Sequence, residues 1–444
     1  MGRQMAIAAT GACGIVALSA VLAPLTAAQA APHRHVPLPA TAAVPATAPA
    51  VTPAGTWRIA HVNRAAGHDI LTAITAISRR DAWAGGAVSK LGSHVLLQHW
   101  NGRTWTRANL PAGLRKIGSA QVTGLEASGR RNVWAFVSGH PAAVARFNGH
   151  RWQVVREWPS AGFPISGEVF SRKDVWMFGG IGPKTVGTWH WNGRTWTRPK
   201  MPLTAFDVSR VSAKDEWGVG ERLTKAGTYA GGVERWNGRS WNVVPTRGLI
   251  PADTASRSTS VNQVLARSGS DVWVTGTSYT RSFRHLRSFL LHWNGHAWQR
   301  ISGKGDVSLG PAVLTRHGVT AVEQHVRLGN QHFIDTSPGF GRYAGTLTKA
   351  QRRDARRQAR WLRHHRRHAH RAQLRRHLRR AARDQVVRYR VSRSVPTHPG
   401  RALQINGLAA IPGTGSAWAV GGYYSDTARK GWIPLGGVLL RQTG

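Results

Sequence analysis

Five times along this chain an apolar run ends in an aromatic residue, turns on Asn-Gly and leaves through a tryptophan. The copies are Trp100-Asn101-Gly102-Arg103-Thr104-Trp105, Phe147-Asn148-Gly149-His150-Arg151-Trp152, Trp191-Asn192-Gly193-Arg194-Thr195-Trp196, Trp236-Asn237-Gly238-Arg239-Ser240-Trp241 and Trp293-Asn294-Gly295-His296-Ala297-Trp298. Asn and Gly both tolerate the positive φ of a type I′ turn, so each copy predicts a tight β-hairpin. One copy would be a local feature. Five make the chain an array of similar sheets.

A second signature precedes each hairpin. It is Ser78-Arg79-Arg80-Asp81-Ala82-Trp83-Ala84-Gly85-Gly86, then Arg131-Asn132-Val133-Trp134, then Ser171-Arg172-Lys173-Asp174-Val175-Trp176. Ser212-Ala213-Lys214-Asp215-Glu216-Trp217, Ser270-Asp271-Val272-Trp273 and Ser416-Ala417-Trp418-Ala419-Val420-Gly421-Gly422 complete the series. The first five of these tryptophans lie 51, 42, 41 and 56 residues apart, in the range of four-stranded blades. Each unit reads as an apolar strand A (residues 70 to 77 in the first), a polar turn, strand B with its Trp, a variable loop, strand C, and strand D after Asn-Gly. Sixteen of the 20 tryptophans fall at equivalent positions. That regularity assigns them to packing between neighbouring units and not to a sugar platform.

The ends of the array complement each other. The last unit finishes on Val438-Leu439-Leu440-Arg441, a strand C without a strand D, whereas Ala54-Gly55-Thr56-Trp57-Arg58-Ile59-Ala60 is an orphan strand D. Pairing the two completes one blade and removes the exposed edges of an open array. Between Trp273 and Trp418 a weaker unit offers Val313-Leu314-Thr315 as strand A, Val319-Thr320-Ala321-Val322 as B and His332-Phe333-Ile334 as C. The expected fold is an all-β, seven-bladed β-propeller over residues 55 to 444, closed by its N- and C-terminal strands, with six or eight blades as the alternatives.

Gly-Gly in strand B, an apolar strand C and a Trp in strand D resemble the kelch and galactose-oxidase-like propellers. Asn-Gly-Arg-Thr-Trp-Thr, at 101 to 106 and 192 to 197, is similar to the Asp-box turns of sialidase-type propellers, with Asn101 and Asn192 near the place of the Asp. The resemblance spans residues 55 to 346 and 386 to 444, extends to secreted bacterial repeat proteins of unassigned role, and implies architecture alone. The repeats lack the cysteine a copper-radical oxidase needs, and no sialidase arginine triad assembles.

Residues 1 to 30 have the pattern of a secretory signal: Arg3, the small and apolar run from Met5 to Leu22, and Ala28-Gln29-Ala30 as a small-x-small cleavage site. An uncleaved anchor is the alternative. Residues 31 to 54 mix Pro, Ala, Thr and Val without a period and read as a linker. The only cysteine, Cys13, lies in the signal. A mature chain would hold no disulfide, thiol nucleophile or Cys-ligated metal, and its expected place is secreted, extracellular or envelope-associated.

Residues 347 to 385 break the repeats with no Gly or Pro and much Arg, Ala, Leu and Gln, which predicts a basic helix. Lys349 to Arg393 holds 18 basic and two acidic residues. If Val386-Val387-Arg388-Tyr389-Arg390-Val391 is strand D of the sixth blade, this insertion replaces its C–D turn. In a four-stranded meander the A–B and C–D turns share one end. The predicted polyanion-binding surface therefore joins Arg79, Arg80, Arg130, Arg131, Arg172 and Lys173 (with Lys214) of the A–B turns to Arg103, Arg194 and Arg239 (with His150 and His296) after Asn-Gly. From the insertion it adds Arg352, Arg353, Arg356, Arg357, Arg360, Arg363, Arg366 and Arg367.

A net charge of +42 at pH 7 implies attraction to polyanions, although 51 Arg against 10 Lys is also what a compositional bias produces. The function expected from these residues is binding or scaffolding by a monomer, with no cofactor. The partner is an anionic polymer (a cell-surface polymer, polysaccharide or nucleic acid) or a protein. No catalytic or metal residue is assigned. A glycan-cleaving enzyme needs paired carboxylates in a pocket. Asp81, Asp174, Asp215 and Asp271 share one turn position, where they are expected to cap backbone N–H groups. Glu126, Glu168, Glu221, Glu234 and Glu323 stand in no motif, and His99, His190 and His292 share one repeat position. His364, His365, His368 and His370 have no carboxylate support for a metal. A protein–protein hub through loops 246 to 258 and 278 to 288, at the other end, is the third reading.

Overall fold

The computed structural model describes residues 57 to 442, apart from 64–67, 90–92, 160–164, 182–184, 226, 255, 281–285, 303–306, 316–317, 326, 330–331, 335–338, 345–384, 391–400 and 428–430. The expected signal, linker and basic helix lie outside the described residues.

Seven antiparallel four-stranded sheets follow one another along the chain. Strands A to D are His68–Ser78, Asp81–Ser89, Ser93–Trp100 and Trp105–Arg107 in blade 1. Blade 2 has Gly118–Gly129, Asn132–His140, Ala142–Phe147 and Trp152–Trp158; blade 3 has Ser166–Ser171, Asp174–Gly179, Gly187–Trp191 and Trp196–Thr197. Blade 4 has Thr204–Ser212, Asp215–Leu223, Tyr229–Trp236 and Trp241–Val244; blade 5 has Arg257–Ser268, Asp271–Thr280, Leu286–Trp293 and Trp298–Ser302. Blade 6 takes Val307–Thr315, Gly318–His325, Gly339–Ala344 and Gln385–Arg390. Blade 7 takes Arg401–Ala410, Ala417–Thr427 and Gly431–Gln442, and its strand D is the N-terminal Trp57–Val62, with Trp57 opposite Gln442 and Ile59 opposite Leu440. The two chain ends close the ring as their complementary patterns require.

Strand A of each blade packs on strand A of the next, all the way round to blade 1. Polar side chains stitch these inner edges together. The Thr72 hydroxyl donates to Val122 O and Thr123 to Ile165 O. Asp207 accepts from Val264 N–H at 2.8 Å, Gln263 from Ala312 N–H at 3.1 Å, and Asn406 Nδ2 closes the circuit on Leu71 O at 2.9 Å. These bonds satisfy backbone groups that an inner strand, unpaired on one side, would otherwise leave bare.

Further out the tryptophans do the packing. The strand-D Trp of one blade meets the strand-B Trp of the preceding blade nearly edge-on. Ring centres lie 5.1 Å apart for Trp152 and Trp83, 6.2 Å for Trp196 and Trp134, and 5.8 Å for Trp241 and Trp176. Trp298 and Trp217 are 6.1 Å apart, and Trp105 of blade 1 meets Trp418 of blade 7 at 5.5 Å. The interplanar angles run from 77° to 86°, which sets the positive ring edge against the negative face.

Two sequence expectations are corrected. The hairpins are not two-residue type I′ turns. Trp100 pairs with Trp105, so the loop holds four residues; Gly102 alone takes a positive φ, at 96°, and Asn101 Oδ1 accepts the N–H groups of Arg103 and Thr104, both at 2.9 Å. The Asn side chain, not its backbone, makes the turn. In blade 6, His332–Ile334 is not strand C. It forms a small hairpin with Arg327–Gly329 on the B–C connection, and Gly339–Ala344 pairs with strand B in its place. Ala344 then faces Gln385, so residues 345–384 occupy the C–D connection of blade 6.

Candidate functional site

At the end of the ring formed by the A–B and C–D turns, blades 1, 3, 4 and 5 each lock their two turns together. The indole Nε1 of Trp100 donates to Arg79 O, Trp191 to Arg172 O and Trp236 to Ala213 O, each at 3.2 Å, and Trp293 to Gly269 O at 3.1 Å. A Cβ on Gly102 would stand 2.9 Å from Cβ of Arg80, and one on Gly193 2.8 Å from Cβ of Lys173. The glycine is needed both for its φ and for this close approach.

Beneath the turns lies a repeated layer of polar pairs. Asp81 Oδ1 meets His99 Nε2 at 2.9 Å, Asp174 meets His190 at 2.9 Å and Asp271 meets His292 at 3.0 Å. Each imidazole lies over the strand-B indole of its blade, with ring centres 4.4, 4.5 and 4.1 Å apart. In blade 4 an arginine replaces the histidine: Arg235 Nε donates to Asp215 at 2.7 Å and its guanidinium lies 4.7 Å from the Trp217 ring. Arg146 over Trp134 and Arg441 over Trp418 fill the same place. The aspartates therefore anchor strand-C His or Arg side chains and do not cap the turns as expected. Capping falls to serines: Ser78, Ser171, Ser212 and Ser268 accept the N–H two residues on. Burial raises the Asp174 carboxyl, but bonds from His190 and Arg210 more than offset it and hold the pKa below the usual range. Asp271 behaves alike through His292 and Arg267. The signal for this position, His or Arg just before the strand-C aromatic, was present in the sequence and is a packing feature.

The acids of this end are thus engaged below the surface while the turn cations stand outside. Arg79, Arg80, Arg103, Arg131, Arg172, Lys173, Arg194, Lys214 and Arg239 are all exposed on the one end. Arg130 is exposed too but leans on the neighbouring blade's Asp81 at 3.2 Å. Arg352, Arg353, Arg356, Arg357, Arg360, Arg363, Arg366 and Arg367 lie outside the described residues; their connection departs between Ala344 and Gln385, on this same end.

Chains of similar shape exist. "YCF48 bound to D1 peptide" superposes with a TM-score of 0.48 at 10% identity, covering 88% of this chain and 97% of that one. YCF48 from Cyanidioschyzon merolae gives 0.47 at 10% identity, covering 87% and 98%. The SapL1 lectin in complex with alpha methyl fucoside gives 0.36 at 12% identity, covering 60% and 94%. No protein-family model matches the chain, and no curated protein matches it.

The carboxyls a hydrolase would need lie elsewhere. Glu126, Glu168 and Asp207 sit on the inner strands of blades 2, 3 and 4 with 3%, 1% and 0% exposure. Burial raises Glu168 well above its ordinary pKa, with the charges of Glu126 and Asp207 adding to the effect, and pushes Asp207 up to about 7. Burial likewise pushes Glu234 and Glu221 up to about 8. These groups pack the interior, and Asp207 joins two blades.

Proposed function

We propose that the protein is a secreted or envelope-associated binding scaffold whose turn-bearing end holds an anionic polymer. The observation that carries this reading is the separation of charge at that end. Arg79, Arg80, Arg103, Arg172 and Arg194 are exposed on turns fixed by indole–carbonyl bonds, while Asp81, Asp174 and Asp271 are paired to histidines beneath them. A rigid ring of uncompensated guanidiniums offers bidentate contacts to phosphate, sulfate or carboxylate groups without ordering cost in the backbone. Secretion rests on the pattern of residues 1 to 30. The arginines of residues 347 to 385 would extend the same surface, since their connection leaves from this end.

The test is binding of the secreted protein to an anionic polysaccharide at two salt concentrations, with and without residues 347 to 385. Affinity that falls steeply with salt, and a slope that shrinks on deletion, supports the reading. Absence of binding at low salt overturns it.

A further inference from the structure

Blade 3 is cut short at the end away from the Asn-Gly turns. Its strands A, B and C run 6, 6 and 5 residues, against 9, 9 and 8 in blade 4. The truncation leaves a notch in the ring. It contains a cavity of about 270 Å³ whose walls include Gly180, Thr185, Gly187, Thr188, Arg198 and Leu203. Gly180 and Gly187 hold φ of 80° and 74°, so the chain turns away here by means that other residues rarely adopt.

Of the cations near this cavity, Arg198 lines it and Arg156 of blade 2 does not. Arg107 is paired with Asp69, Arg210 with Glu216 and Arg235 with Asp215. Among the described residues Arg198 and Arg156 meet no carboxylate. Both rest on one indole instead: Cζ of Arg198 lies 4.9 Å from the Trp189 ring centre, and Cζ of Arg156, from blade 2, lies 4.6 Å from it and 5.0 Å from Trp158. Trp158 and Trp189 occupy none of the repeat positions that explain the interblade tryptophans. The guanidinium of Arg198 lies beside the Gly187 backbone, where a Cβ would stand 3.6 Å from Nη1. Stacking on a π face orients a guanidinium while leaving its in-plane N–H groups for an acceptor.

We propose that the notch of blade 3 binds a compact carboxylate-bearing ligand of monosaccharide or amino-acid size. Arg198 takes the carboxylate through its planar fork, Arg156 adds positive potential across Trp189, and the glycine backbone meets polar groups of the ligand; the hydroxyls of Thr185 and Thr188 already donate to Gly180 O and Ala205 O. The volume lies just under the usual lower bound of about 300 Å³ for drug-sized pockets, which limits the ligand to one such unit. The site is at the opposite end from the polymer-binding surface and does not depend on it.

Ligand-observed NMR on the full chain at physiological salt tests this, with glucuronate, N-acetylalanine, glucose and inorganic phosphate as probes. Glucuronate or N-acetylalanine is expected to bind, and whichever does so identifies a sugar acid or an amino-acid carboxylate. Arg198→Gln, an exposed position, should weaken that binding about tenfold or more, whereas Arg103→Gln at the other end should leave it unchanged. Glucose or phosphate binding as well as the carboxylates, no binding by either carboxylate, or equal losses in R198Q and R103Q would overturn the proposal.

Discussion

Nε1 of Trp100 donates to the carbonyl oxygen of Arg79 at 3.2 Å, and this bond ties the C–D turn of blade 1 to its A–B turn. Arg79 and Arg103 therefore project from one fixed frame, although 24 residues of sequence separate them. The same tie in blades 3, 4 and 5 turns a set of local hairpins into a continuous surface.

Packing between blades should dominate stability. Trp152 is 3% exposed and meets Trp83 edge-on, so Trp152→Ala is expected to cost about 3–5 kcal/mol. Val155, on the same strand and 38% exposed, should tolerate Ala within about 0.5 kcal/mol. Urea unfolding midpoints of the two variants give the comparison.

The turns carry a smaller share. Gly102→Ala puts an L residue at a φ of 96° and a Cβ 2.9 Å from that of Arg80, for an expected loss of about 1–2 kcal/mol. Asn101→Ala removes the acceptor of two N–H groups and should cost about 0.5–1.5 kcal/mol. Thermal melts read both. A neutral G102A would show that the turn relaxes freely.

The strand-C His or Arg is interchangeable where its partners are kept. Blade 4 uses Arg235 where blade 3 uses His190. His190→Arg should therefore change stability by less than about 0.5 kcal/mol, while His190→Ala, which strips Asp174 of one partner and Trp176 of its stacked ring, should cost about 1–2 kcal/mol. Equal losses in the two variants would contradict the shared role.

Two groups of acids give opposite pH dependences. Asp207 is raised to about 7 by burial, so the folded state holds a proton that the unfolded chain releases near pH 4. Folding is favoured most below pH 4, and stability declines as pH rises from there through about 7. Asp174 and Asp271 are lowered; their contribution is present above the ordinary carboxylate pKa and is lost as pH falls below it. Asp207→Asn, which retains an acceptor for Val264 N–H, should lessen the decline towards pH 8 by on the order of 1 kcal/mol or more and leave the acid limb unchanged; Glu168, Glu221 and Glu234, also raised by burial, keep the rest of the decline. Unfolding midpoints at pH 3, 5 and 8, each an approximate sampling point, decide between the two limbs.

The architecture was legible because it rests on residue types with narrow conformational use. Asn-Gly marked the C–D turns, the Ser-Asp-Trp signature marked strand B, and an orphan strand D at one chain end with a unit lacking strand D at the other marked the closure. Strand C of blade 6 was not legible: His332–Ile334 is the more apolar run, yet Gly339–Ala344 continues the sheet because strand B has its pairing groups opposite it. The role of the aspartates was not legible, because an Asp beside a turn has local backbone donors in any sequence, whereas its partners here, His99, His190 and His292, come from strand C, 16 to 21 residues away. The shared end of the turn cations followed from meander topology. The notch did not, since it depends on how far three strands of blade 3 extend beside their neighbours.

The most direct test of the polymer-binding surface is the salt dependence of binding to a DNA duplex, used as a polyanion of known charge spacing. The comparison is between the intact protein and a variant carrying Arg79→Gln, Arg80→Gln, Arg103→Gln, Arg172→Gln and Arg194→Gln. The expected result is a steep fall of affinity with salt in the intact protein, and a slope shallower by about 0.9 for each contact the variant loses. An unchanged slope in the variant, with its fold intact, would contradict the assignment of that end as the binding surface.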